Sequence, residues 1–368
     1  MLIWQAVEEQ ARRRPDGVAI ADGERSITYR QLAERVARLS AGLAGTGLSA
    51  GDRVAVLLPN SLELVTTMMA ASAAGLIVVP LPPAFPAAYL ARILERTVPT
   101  ALVASAELRG RVPSPASASV PMSILVGGTA PGALAYEELI ARTAETGRPG
   151  PEDSGSDPIC LLADTSGSSG LVKIVAHSQS RLVERADRFV ETMALGAGDE
   201  TVTGLHLGRP MSFVCALLAM LRVGGKVTLV GKPDPGPFWT AYAERRPTYV
   251  LDGTDRTRRA FDHPAAERAD HSRLRFWIAG GDAASPVLRE RVARWTGRQL
   301  LEMYGSTEAG ALAINPPGGP IKVGSVGRPM PGVEMRLADA LGRTVGSGPV
   351  SGPAPRGGRS ARPPAPRE

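Results

Sequence analysis

The chain has 368 residues and is poor in the residue types behind the most conspicuous protein chemistries. Its two cysteines, Cys160 and Cys215, each lie in an apolar stretch. That excludes a disulfide framework and suits buried thiols in a reducing compartment. The four histidines, His177, His206, His263 and His271, are scattered and show no metal-ligand spacing. Aromatic residues are only 4% of the sequence and do not interleave with basic clusters. The net charge of +6 and pI near 9.7 are therefore assigned to solvated arginines such as Arg12 to Arg14, not to a nucleic-acid surface. The longest apolar run, Leu64 to Leu81, is interrupted by Gly75 and Pro80. It reads as a buried helix, Ser61 to Ala74, leading into a strand, and no membrane span is expected. The opening MLIWQAVEEQARRR lacks the apolar core and cleavage site of a signal peptide, so the expected location is cytoplasmic. Neither a GxxxxGK[ST] phosphate loop nor a GxSxG nucleophile elbow occurs.

What is present centres on Thr165 to Lys173, TSGSSGLVK, set between the apolar runs Ile159 to Leu162 and Ile174 to Ala176. Gly167 and Gly170 tolerate positive φ and let such a loop fold back on itself. Its amides, the hydroxyls of Thr165, Ser166, Ser168 and Ser169, and the Lys173 ammonium can then converge on one anion. A Ser/Gly-rich hairpin turn that binds nothing is the competing reading.

A second segment bears on that choice. Tyr304 to Glu308 reads YGSTE after the apolar Leu300, Leu301 and Met303, and Ile278 to Asp282 upstream reads IAGGD. Between them a helix is expected, with Ser285 as N-cap, Pro286 in the first turn and Gly297 at the C-terminal cap. Leu288, Val292 and Trp295 fall on one of its faces. Strand, glycine turn, helix, strand and polar loop in that order are the βαβ pattern, in which ligands gather at the carboxyl ends of the strands.

TSGSSGLVK, GGD and YGSTE in this order resemble the adenylate-forming superfamily of acyl- and aryl-CoA synthetases, luciferases and peptide-synthetase adenylation domains. Ser26 to Leu43, Ala73 to Pro82 (AAGLIVVPLP) and Val323 to Leu337 (VGSVGRPMPGVEMRL) are similar to further segments of that family, and the likeness covers about residues 1–350. The resemblance implies an α/β fold: an acyl-CoA synthetase-like large domain of two packed α/β subdomains plus the start of a β-rich one. It implies that Thr165, Ser166, Gly167, Ser168, Ser169, Gly170 and Lys173 hold the β- and γ-phosphates of ATP. It further implies that Tyr304 packs on adenine, that Thr307 bonds the α-phosphate, that Glu308 binds Mg²⁺, and that Gly280 and Gly281 let the backbone approach adenine and acyl group. The implied activity is ATP-dependent activation of a small carboxylic acid to an acyl-adenylate, with release of pyrophosphate. Transfer to CoA or to the phosphopantetheine arm of an acyl carrier protein follows. Such chemistry needs charge neutralisation and in-line positioning more than acid–base groups.

Some positions depart from the family pattern. Ser169, Val172 and Ile174 stand where Thr, Pro and Gly are usual, and Arg209 in LHLGRPMSF falls at the position of a family histidine. Met211 or Ser212 aligns where amino-acid-activating members carry an aspartate, and no acid is near in sequence, which argues against an α-amino acid substrate. After Pro349 the chain is rich in Pro, Gly, Ala and Arg, a composition unable to bury a core. The family continues there with a ribose-binding aspartate and a small domain carrying a catalytic lysine, neither of which is found. The expectation is an absent C-terminal small domain, from truncation or a frame shift, and impaired catalysis. A chain that only binds nucleotide or acyl ligand, one half of a split enzyme, and an Arg-rich tail for an acidic partner are the alternatives.

The expected organisation is an N-terminal α/β subdomain (1–150), a nucleotide-loop subdomain (151–325), the start of a β-rich subdomain (326–350) and a disordered tail (351–368). A Thr28–Gln31 capping box should start a helix that turns Leu32, Val36, Leu39 and Leu43 inward.

Overall fold

Short β-branched runs alternating with amphipathic helices build two mostly parallel sheets in the computed structural model, which describes residues 1–112, 119–142, 157–165, 172–232, 234–322, 324–339 and 343–344. The strands are β1 (Val18–Asp22), β2 (Arg25–Thr28), β3 (Arg53–Leu57), β4 (Ile77–Pro80), β5 (Ala101–Ser105), β6 (Met122–Val126), β7 (Ala133–Ala135) and β8 (Ile159–Thr165). They continue as β9 (Lys173–Ser178), β10 (Glu200–Thr203), β11 (Lys226–Leu229), β12 (Tyr249–Gly253), β13 (Phe276–Gly280), β14 (Leu300–Ser306), β15 (Gly310–Ile314) and β16 (Arg328–Pro329). One sheet runs β7-β6-β5-β3-β4-β8-β9, the other β16-β15-β14-β13-β12-β10-β11-β1-β2.

The sheets interleave along the chain across residue 150. The β1–β2 hairpin pairs with β11 in the larger sheet, and β8, after that boundary, pairs with β4 in the smaller one. Each sheet thus takes a hairpin from the other segment at one of its edges. Within residues 326–350, β16 extends the larger sheet beside β15. Residues 345–368, with the expected tail, lie outside the described residues.

Local signals act as their chemistry suggests. Thr28 Oγ1 accepts from the Gln31 amide at 3.2 Å while Gln31 Oε1 accepts from the Thr28 amide at 2.9 Å, starting the helix Tyr29–Ala44. Leu32, Val36, Leu39 and Leu43 are all buried. Ser61 caps the helix Leu62–Ala73, which is buried on nearly every face and leads into β4. Ser285 caps Pro286–Thr296, and Gly297 closes it at φ +66°. On that helix Leu288 and Val292 are fully covered, whereas Trp295 sits at the rim, stacked on Phe261 at 5.8 Å. Much of the small aromatic content gathers here. Phe238, Trp239, Tyr242, Phe261 and Trp277 form one buried cluster, with Phe261 and Trp277 4.7 Å apart edge to face. The ring N–H groups are satisfied, Trp239 donating to the Ala260 carbonyl and Trp277 to Thr257.

Cys160 is buried on β8, and Cys215 is buried in a π-helical stretch, Phe213–Leu218. Burial raises both thiols, Cys215 to about 12, so neither is a thiolate at neutral pH. Among the described residues no helix is long and apolar enough to cross a membrane.

Candidate active site

The βαβ unit β13, Pro286–Thr296, β14 is parallel in register, Gly280 opposite Met303, so the glycine pair and the YGSTE segment emerge at one edge of the larger sheet. Gly281 has φ +97°, a conformation that favours glycine. The turn after it is fixed from both sides. Thr254 Oγ1 donates to the Asp282 carbonyl at 2.6 Å, and buried Glu302 accepts from the Ala284 amide at 3.0 Å while paired with Arg289 at 2.7 Å.

A cavity of about 500 Å³ opens at this edge. Gly280, Gly281 and Thr307 of the expected residues line it, and Asp282, Met303, Gly305 and Ser306 complete that side. Tyr304 and Glu308 stand exposed beside it and do not form its wall. The opposite side is Asp164, next to Thr165 on β8. Thr165 pairs with Lys173 across the β8–β9 hairpin, which brings both ends of the Ser/Gly-rich loop together at the cavity's border. Ser166, Gly167, Ser168, Ser169 and Gly170 lie outside the described residues. Val172 and Ile174, unusual for the family, have a packing reason: Val172 is buried in the cluster with Ala55, Leu57 and Val79, and Ile174 packs against it. A larger open groove of about 1310 Å³ runs past Arg25, Asn60, Ser105 and Lys232 and holds none of the expected residues.

Acids distant from Met211 in sequence stand at this cavity. Asp164 and Met211 line the same cavity. The Asp164 carboxylate is nevertheless engaged, accepting from the Tyr89 hydroxyl at 2.9 Å with Arg209 at 3.5 Å. Burial and that carboxylate push the Tyr89 hydroxyl up to about 12. The Arg209 guanidinium also lies over Phe85, 5.2 Å from the ring centre. Asp164, Arg185 and Arg188 were not expected from sequence. Each faces the cavity from a strand or helix whose apolar pattern alone decides the sequence reading. One stretch of the wall is apolar, with Leu205, Met211, Val214, Met303, Ala311 and Met330, and Thr254, Asp255 and Arg256 add polar groups beside it.

Arg209 is placed by a clamp on the preceding loop. Asn60 donates to the Leu205 carbonyl at 3.0 Å and accepts from the Leu207 amide at 2.9 Å. His206 Nε2 donates to the Leu58 carbonyl at 2.8 Å, and its Nδ1 accepts from the Gly208 amide at 3.1 Å. This bonding requires the neutral ring, and burial holds its pKa down at about 4. A folded pKa below the unfolded value of about 6.5 gives stability that is present above pH 6.5 and lost as pH falls towards 4. His206→Gln should remove this component, up to about 3 kcal/mol. Denaturant unfolding of both proteins at pH 7 and pH 4.5 checks it. A wild-type minus variant difference that does not shrink at the lower pH would exclude His206 as the titrating group. The buried Asp252, raised to about 6 by burial against the opposing Arg256, titrates in the other sense and cancels in that difference.

The chain matches the model of the AMP-binding enzyme family over residues 7–353. It is 30% identical to a feruloyl-CoA synthase from Amycolatopsis sp, covering 98% of this chain and 72% of the relative. It is 29% identical to a salicylyl-CoA synthase / salicylate adenylyltransferase from Streptomyces sp, covering 95% of this chain and 66% of the relative. Among solved structures, an anthranilate CoA ligase in complex with anthranoyl-AMP superposes with a TM-score of 0.85 at 22% identity, covering 95% of this chain and 68% of that one. A benzoate CoA ligase from Burkholderia xenovorans LB400 gives 0.84 at 23% identity, covering 95% and 70%. With a glycine pair and a YGSTE turn at one cavity, a Ser/Gly-rich hairpin at its border and a family match over nearly the whole described chain, the chain belongs to the AMP-binding enzyme family, the ligases that activate a carboxylic acid with ATP.

Proposed function

We propose that this chain activates an aromatic carboxylic acid. The substrate carboxylate attacks the α-phosphorus of ATP, a C–O–P linkage forms, the bond from the α-phosphorus to the bridging oxygen breaks, and pyrophosphate leaves. The acyl-adenylate then passes to the thiol of CoA or of a carrier's phosphopantetheine. The observation that carries this reading is a single cavity that joins Gly280, Gly281 and Thr307 to an apolar wall. Nucleotide and acid can therefore meet in one cavity, where in-line positioning supplies much of the rate.

The named relatives act on feruloyl, salicylyl and salicylate substrates, which supports an aromatic acid. The wall suits one: Met211, Met303 and Met330 are flexible thioethers that pack well on ring edges. Asp164, already engaged by Arg209 and Tyr89, offers no free charge to an α-amine.

In this reading Lys173 and the hydroxyls and amides of residues 165–170 hold the β- and γ-phosphates, Thr307 bonds the α-phosphate and Tyr304 covers adenine. Glu308 is the residue for Mg²⁺. Its side chain is exposed beside the cavity, and Arg185 takes its carbonyl, which leaves the carboxylate facing solvent for a hard cation. The ion's chemistry, when bound, is to neutralise charge on the phosphates.

Acid-dependent ATP–pyrophosphate exchange across a panel of benzoates, cinnamates, short and long aliphatic acids and α-amino acids tests the proposal. Exchange with aromatic acids at least about tenfold above the others is expected, a margin of about 1.4 kcal/mol in transition-state binding. Preference for an aliphatic or amino acid would overturn the substrate class, and no exchange with any acid would overturn the activity of the chain alone.

A further inference from the structure

We propose that Arg185 is a positioning residue that ties the β8–β9 hairpin to the Tyr304–Glu308 turn through His177, and thereby sets Glu308 for its cation. The inference rests on the nucleotide reading above and assigns work to two residues which that reading leaves idle.

His177 lies on β9, further along the strand that begins with Lys173, and is 3% exposed. Its Nδ1 is 3.2 Å from Arg185 Nη1. A guanidinium only donates, so Nδ1 is the acceptor and the ring proton sits on Nε2. Nε2 is buried without a hydrogen-bond partner, so no bond on that side competes to orient the ring. Burial, and then the Arg185 charge, push the ring's pKa down to about 4, and the acceptor is free of a proton at neutral pH.

Arg185, on the helix Gln179–Met193, spends its other terminal nitrogen on the turn: Nη2 donates to the Glu308 carbonyl at 2.8 Å. The turn is built to receive it. Gly310 has φ +79°, and a Cβ there would stand 2.9 Å from both Cδ and Nε of Arg185. Close approach of the arginine and absence of a side chain at 310 are one arrangement. The guanidinium therefore bridges a ring nitrogen on the phosphate-side strand and a backbone carbonyl on the metal-side turn. The planar fork reaches the two acceptors with separate nitrogens, whereas a lysine must place all its N–H groups on one. Arg185 also lines the cavity, so the tether runs along its wall.

The test uses four variants of the full chain: Arg185→Gln, Arg185→Lys, His177→Leu and His177→Asn. Hydrogen exchange of the amides from Tyr304 to Ala311 is followed without nucleotide, and ATP binding is measured by calorimetry with and without Mg²⁺. KM for MgATP and for the acid are read from pyrophosphate exchange. Arg185→Gln and His177→Leu should speed amide exchange in the turn roughly tenfold while the rest of the chain stays protected. They should also weaken MgATP binding about tenfold with the acid KM within about twofold. Arg185→Lys should fall between wild type and Arg185→Gln. His177→Asn, which can place an amide oxygen where Nδ1 stood, should stay within about threefold of wild type. Unchanged amide exchange in the turn overturns the tether, whatever the activity. A rise in acid KM alone overturns it too, by making Arg185 a substrate contact. Absence of pyrophosphate exchange in the wild type would sink the proposed function, while the hydrogen-exchange arm would still decide the tether.

Discussion

Lys173→Ala and Glu308→Ala should each slow acid-dependent ATP–pyrophosphate exchange by on the order of 10²- to 10³-fold, the size of effect seen when one preorganised group that meets developing charge is removed. The two losses should differ in kind. Lys173 starts β9 directly across from Thr165, at the mouth of the Ser/Gly-rich loop, and its side chain is exposed. Removing a charge-assisted contact there costs about 1.5–3 kcal/mol in nucleotide binding, so KM for ATP rises whatever the Mg²⁺ concentration. Glu308 is expected to act through the cation. Glu308→Ala should therefore be partly restored by raising Mg²⁺, and Glu308→Gln, which keeps an oxygen but loses the charge, should lie between alanine and wild type. Steady-state exchange over a grid of ATP and Mg²⁺ concentrations separates the two. Full activity in Lys173→Ala would move the triphosphate contact to another cation, for which Arg209 on the cavity wall, 3.5 Å from the carboxylate of Asp164 beside Thr165, is a candidate. A Glu308→Ala defect indifferent to Mg²⁺ would leave Glu308 with a packing role only.

What could be read beforehand was whatever depends on neighbours in sequence. The Thr28–Gln31 box, the Ser285 cap with its Gly297 stop, and the strand–glycine–helix–strand order each involve atoms a few residues apart, and each formed as its chemistry dictates. The hairpin around the Ser/Gly-rich loop was legible for the same reason, since two apolar runs flank a turn-rich segment. The site's cross-chain members were not. Asp164 and Arg209 meet because β8 joins the smaller sheet while the Leu205–Arg209 loop leaves the larger one, and nothing in either local pattern encodes that juxtaposition. Arg185 belongs to a strongly amphipathic helix, Gln179–Met193, where an arginine beside the apolar stripe looks like a solvated residue. The π-helical stretch Phe213–Leu218 was hidden too, because an all-apolar run carries no period to reveal which hydrogen bonds it makes. Sheet order escaped local reasoning altogether. The exchange of hairpins between the sheets is a decision about edges, and edges are filled by strands far apart in sequence.

Gly305→Ala should be strongly damaging for a single added methyl group. Gly305 is the second residue of the YGSTE turn and does not need a positive φ, so a sequence reading gives it no special status. Its environment does. A Cβ at 305 would lie 2.1 Å from the Gly310 carbonyl oxygen, 2.9 Å from its carbon and 3.0 Å from the Ala311 Cα. All three are backbone atoms of β15 or its first residue, so no side-chain rotation can make room. The pairing register of β14 and β15 already shifts between Tyr304 and Gly305, an irregularity that brings the two backbones this close. A methyl group must push the strands apart at the point from which Thr307 and Glu308 project. Overpacking against rigid backbone costs typically about 1–3 kcal/mol, and here the ladder bonds flanking the bulge weaken as well. The expected outcome is a lower thermal midpoint together with at least about 10²-fold slower pyrophosphate exchange, since a displacement of about 1 Å in positioning groups is enough for a loss of that size. Gly310→Ala makes the informative partner, because its methyl group would strike the Arg185 side chain and also demand a strained φ of +79°. If Gly305→Ala keeps wild-type exchange, the β14–β15 turn is plastic and its geometry does not set the nucleotide site. If it loses exchange with an unchanged midpoint, the strands yield cheaply and the whole cost falls on the alignment of Thr307 and Glu308.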